Sequence, residues 1–158
     1  IDNIFEDPER MWNGLTHIKP TLEHVIDRWF RNRQDKQGAL VVIYTDGSLS
    51  DEKAFVELIR ETCLKIDNHT EIKILILGFG SEIEQKPKVI DFYVGVDINY
   101  HKFKHNIVIF DLINEMTEGI IPAFVRQLGD NPEKGLAMWV KQKQEYSTVY
   151  EKYKHCIE

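Results

Sequence analysis

The chain predicts an α/β fold with a mainly parallel central sheet, on three observations. "ALVVIY" (Ala39 to Tyr44), "IKILIL" (Ile72 to Leu77) and "NIVIFD" (Asn106 to Asp111) are short runs, apolar through their centres rather than alternating. Strands read this way when helices cover both faces of a sheet. Helical periodicity lies between and around them, and strands alternating with helices imply right-handed crossovers and parallel neighbours. Finally, 158 residues with 42% hydrophobic and 29% charged content suit one soluble domain with its own core.

The elements follow in order. "IDNIFEDPERMWNGLTH" has a short apolar start and then turn-rich polar residues. Leu22, Val25, Ile26, Trp29 and Phe30 recur at spacings of three and four, the stripe of an amphipathic helix. Pro20 suits its first turn, where a missing N–H costs nothing, and the charged "RNRQDKQG" ends it. After the first strand comes an Asp46-Gly47 turn. Ser48 or Ser50 is placed to cap a second helix, with Asp51 and Glu52 favourable in its first turn. Phe55, Leu58, Ile59, Thr62, Cys63 and Ile66 form its inner face. The second strand runs into "GFGS". Residues 82–104 are the hardest to assign, and within them "VIDFYVGVDI" reads as an added strand. A helix after the third strand turns Ile120, Ile121, Phe124, Val125 and Leu128 inward, starts late because of Pro122 and stops at Gly129. Leu136, Trp139, Val140, Tyr146, Tyr150 and Tyr153 then recur at helical spacing through 133–155. The expected organisation is an α/β domain over residues 1–130 and a C-terminal helical extension over 131–158.

Composition narrows the function. A net charge of -6 argues against a nucleic-acid partner, since phosphate-backbone binders carry a basic excess. No apolar run approaches a membrane span and no signal peptide is visible. Two cysteines, Cys63 and Cys156, make no disulfide framework and read as reduced thiols of a cytoplasmic protein, Cys63 packed as a small hydrophobe. The chain opens on Ile1, as a processed product or part of something longer would. His101 and His105 have the H-x-x-x-H spacing. Their surroundings, "NYHKFKHN", show no helical pattern and no third ligand, so they read as a solvated basic loop and not as zinc ligands. No Ser-His-Asp order and no phosphate-binding Gly-rich loop appears.

In open parallel sheets, ligands bind outside the carboxyl ends of the strands. Asp46-Gly47, Gly78-Phe79-Gly80 and Asp111 all fall there. "YTDGS" resembles the opening strand of ribonuclease H-like nucleases, in which the acid helps hold catalytic Mg²⁺. That chemistry needs several carboxylates around two metals, and that family continues into a hairpin. Here the continuation, "SDEKAFVELIRETCLKI", is amphipathic at helical period. Read literally, Asp46-Gly47-Ser48-Leu49-Ser50 spells D-x-S-x-S, the first-strand metal motif of von Willebrand factor A (vWA) domains, whose hard oxygens suit Mg²⁺.

A longer resemblance is to the later half of the same family. "NGLTHIKPTLEHVIDRWF" resembles its Thr loop and helix, "LVVIYTDGSLSD" its TDG strand, "EIKILILGFGSE" the next strand, and "NIVIFDLINEMTEGIIPAFVRQL" its closing strand and helix. This covers roughly residues 1–128 and is most similar to small bacterial stand-alone vWA proteins of the tellurium-resistance type. It implies a Rossmann-like sandwich and a metal-ion-dependent adhesion site. Asp46 would coordinate Mg²⁺ directly or through water, Thr16 would offer a hydroxyl, and Ser48 and Ser50 are the further hydroxyls of the loop. An acidic side chain of a protein partner would fill the open coordination position. The family's first-strand motif has no match upstream of Thr16, so the resemblance implies a site half of which is missing here. The function expected is a protein-binding module and not an enzyme. The alternatives are a nuclease centred on Asp46, or a metal-free scaffold whose C-terminal helix contacts partners. The plainer readings make Asp46 a turn residue and Thr16 a helix cap.

Overall fold

The computed structural model describes residues 17–35, 37–116, 119, 121, 125 and 136–156. Three parallel strands, β1 (Ala39–Thr45), β2 (Ile72–Gly78) and β3 (Val108–Leu112), form a sheet in the order β1-β2-β3. Ala39 lies opposite Ile72 and Thr45 opposite Gly78; Ile74 lies opposite Val108. Six α-helices lie among the described residues: α1 (Lys19–Asn32), α2 (Glu52–Leu64), α3 (Ser81–Glu84), α4 (Pro87–Asp97), α5 (Met138–Gln142) and α6 (Ser147–Tyr153). The fold is α/β and Rossmann-like, as the alternation of apolar runs and amphipathic stretches predicts.

The sheet sorts its side chains by parity. Ile72, Ile74, Ile76, Val108, Phe110 and Leu112 join residues of α1, α2, α4 and the C-terminal segment in the main core. On the opposite face Leu75, Leu77 and Ile109 make a small second cluster with Met116. All of β2 is buried, which is why its sequence is apolar apart from Lys73. β1 departs from the expectation of two covered faces. Leu40, Val42 and Tyr44 are 41%, 38% and 60% exposed. β1 pairs with β2 alone among the described residues.

α1 buries Leu22 and Ile26 and half-buries Trp29 and Phe30, while Val25 stays exposed. α2 buries the predicted face, Phe55, Leu58, Ile59, Thr62 and Cys63, with Ile66 following it. The Thr62 hydroxyl donates to the Leu58 carbonyl at 2.7 Å, which satisfies it inside the core.

Residues 87–97, expected as an added strand, form α4 instead. Pro87 presets its first turn. Val89, Ile90, Tyr93, Val94 and Val96 are buried, because α4 packs on β3 and also beneath the C-terminal segment. A helix enclosed on several sides is apolar nearly all round, and periodicity does not separate it from a buried strand.

The C-terminal stretch is not one helix. It runs through α5, a 3₁₀ turn (Gln144–Tyr146), α6 and a second 3₁₀ turn (Lys154–Cys156). Its aromatics are core pegs: Trp139, Tyr146 and Tyr153 are buried. The Trp139 indole N–H donates to Asp111 at 2.9 Å, the Tyr146 hydroxyl to the Glu84 carbonyl at 2.5 Å, and the Tyr153 hydroxyl to the Asp91 carbonyl at 3.1 Å. Ile121 and Val125, expected to point inward, are 75% and 56% exposed. The rest of their predicted helix, and Gly129, fall outside the described residues.

One cation is buried in the sheet. Lys73, 1% exposed, donates its ammonium to the Asn106 carbonyl at 2.8 Å. Burial holds Lys73 down to about 8, against the pull of Asp97. Burial pushes the Asp97 carboxyl up to about 8, opposed by the Phe110 N–H and Lys73 and reinforced by Asp111.

Two predictions follow from this packing. A Cβ on Gly95 would sit 2.6 Å from the Tyr153 hydroxyl. Gly95→Ala should therefore cost about 1–3 kcal/mol by overpacking in urea denaturation, and Gly95→Ala combined with Tyr153→Phe should recover part of that loss. Because Asp97 binds its proton more tightly folded than unfolded, its contribution is complete below its ordinary value of 3.8 and is lost as pH rises through about 8. Stability should thus fall from pH 5 to pH 8 more steeply in the native chain than in Asp97→Asn, as urea midpoints at the two pH values will show.

Candidate functional site

The candidate site is the turn that leaves β1 at the carboxyl edge of the sheet. Thr45, the last residue of β1, is buried, and its carbonyl accepts from Phe79 N–H at 3.0 Å, just past β2. The Thr45 hydroxyl donates to the Gly47 carbonyl at 3.2 Å and accepts from the Gly47 N–H at 3.4 Å. From below, the Tyr93 hydroxyl of α4 donates to the same Gly47 carbonyl at 2.9 Å. Tyr93 is itself stacked on Phe110 of β3, with ring centroids 4.9 Å apart. The turn therefore stands on side chains from two other elements. Leu49 is buried and anchors its far side, while Asp46, Ser48 and Ser50 are exposed.

The neighbourhood is acidic. Burial raises the Tyr93 phenol; Glu52, Asp46 and Asp51 raise it further, against the Thr45 hydroxyl. Burial raises the Glu52 carboxyl, and Asp91 adds to it. Asp91 is itself bound by the Lys152 ammonium at 2.7 and 2.9 Å.

Asp51, not Ser48 or Ser50, occupies the cap position of α2, and it makes no side-chain cap bond to that helix. Its carboxylate reaches the start of α1, accepting from Ile18 N–H at 3.2 Å and Lys19 N–H at 2.8 Å. Those amides lack intrahelical acceptors, and a carboxylate there also meets the positive end of the helix dipole. Ile18, an apolar residue, holds the cap position of α1. Thr16, two residues upstream, lies outside the described residues. The structure thus brings the start of α1 and the Asp46 turn to one edge of the sheet. Sequence reasoning missed this role for Asp51. The available signal was that "HIKP" gives α1 no capping side chain of its own just before its start.

Asp46 is exposed and makes no hydrogen bond or ion pair to another described residue, whereas Asp51 is occupied. Asp46, Ser48 and Ser50 are hard oxygen donors of the kind Mg²⁺ accepts, but one carboxylate and two hydroxyls are too few to displace that ion's waters. Among the described residues no group of three or more His, Cys, Asp or Glu could hold a metal. The donors fit the ion in kind, not in number.

The other candidates of this edge have structural work. Asp111 accepts from the Trp139 indole and, at 2.8 Å, from its neighbour Leu112 N–H. Gly78 is boxed in, since a Cβ there would meet Ile83 at 2.8 Å and Leu112 at 2.9 Å. Gly80 has φ of 82°, a conformation that favours glycine. His101 is half-buried and stacks on Phe103 at 5.7 Å; burial lowers its pKa, with Arg60 and Lys152 adding to the effect. Cys63 is fully buried, its Sγ 3.3 Å from the His105 carbonyl, and burial raises its pKa away from the reactive thiolate.

Compared with known protein families, curated proteins and solved structures, the chain matches none. Among the described residues no helix is long and apolar enough to cross a membrane.

The two acids of the turn should separate in a stability assay. Asp51→Ala strips the start of α1 of its acceptor and should cost about 0.5–2 kcal/mol. Asp46→Ala removes an exposed group and should stay within about 0.5 kcal/mol. Denaturant midpoints of the two variants check this.

Proposed function

We propose that this chain is the later half of a vWA-type protein-interaction module of the cytoplasm, similar to those of tellurium-resistance proteins. The observation that carries the reading is the Asp51 contact with Ile18 and Lys19, which holds the helix after Thr16 beside the Asp46 turn. It is supported by the order helix, TDG strand, helix, strand, helix, strand around a parallel sheet. On this reading Asp46 supplies a carboxylate and Thr16, Ser48 and Ser50 supply hydroxyls towards Mg²⁺, the remaining ligands coming from outside this sequence. When bound, the ion would offer an open coordination position to an acidic side chain of a protein partner. The pinned Gly47 turn holds Asp46 at the edge, and the exposed Phe79 beside it contributes to the choice of partner.

The nuclease alternative requires a hairpin after Asp46. The chain instead enters α2 and returns as a parallel strand. The scaffold alternative loses its proposed contact face, because Trp139, Tyr146 and Tyr153 are buried.

The test is thermal melting with and without Mg²⁺. Mg²⁺ at about ten times its Kd should add about 1.4 kcal/mol to a protein that joins this chain to the segment supplying the remaining ligands, and nothing to Asp46→Ala in the same protein. A joined protein whose melting ignores Mg²⁺ would overturn the metal-bridged reading.

A further inference from the structure

We draw no further inference here: the strongest candidate, the buried side-chain cluster of Lys73, Asp97 and Asn106 where β2 and β3 meet the end of α4, rests only on the displaced titration of Lys73 and Asp97, and among the described residues nothing else points to a ligand or a second state there.

Discussion

The structure depends on the complete burial of β2. A strand with no exposed residue must have a neighbour on each side and cover on each face, and the remaining elements follow from that demand. β1 and β3 fill its two edges. The helices that carry the chain back between strands cover the main-core face. Gly78, at its end, leaves room for Ile83 and Leu112 to close over the strand. Burial also dictates what becomes of Lys73, whose ammonium ends on a backbone carbonyl instead of in water. A charge kept in such a place costs free energy unless it is paired or shed, so the centre of the sheet is tuned by protons as well as by packing.

At the carboxyl edge the same economy separates two neighbouring acids. Asp51 serves the fold by holding a helix that begins far away in sequence. Asp46 has no bonding partner among the described residues and stands on a turn fixed by Thr45 and Tyr93. A rigid base beneath an uncommitted carboxylate limits the entropy lost when a ligand is taken up. That is the physical basis for proposing this turn, and not the Asp111 or Gly78 loops, as a binding position.

Much of the framework was legible in the sequence, for reasons that can be named. The three strands, the inner face of α2 and the inward aromatics of the C-terminal segment all follow from patterns local to a few residues. The misreadings share one cause, dependence on what lies across space. α4 resembled a strand because its surroundings make it apolar on several sides. β1 resembled a strand covered on both faces because the exposure of Leu40, Val42 and Tyr44 leaves no mark in the composition of a parallel run. The use of Asp51 by α1 rests on residues 32 and 33 positions away, which no local pattern encodes. Within the site, the exposed position of Asp46 was readable from its place after an apolar run. The support beneath it was not, because Tyr93 lies in the segment that was misread.

Tyr93 has a consequence for the order in which the molecule takes shape. It sits on α4, which meets the Gly47 turn through the Tyr93 hydroxyl and meets the C-terminal segment through Asp91 and Gly95. Tyr153 and Lys152, which secure that second contact, leave the ribosome after all three strands of the sheet. A chain that folds as it emerges can assemble β1 and β2 early, yet α4 gains its final seat only when the tail arrives. The turn that carries Asp46 is therefore made before α4 and finished only after residues 152 and 153 have emerged.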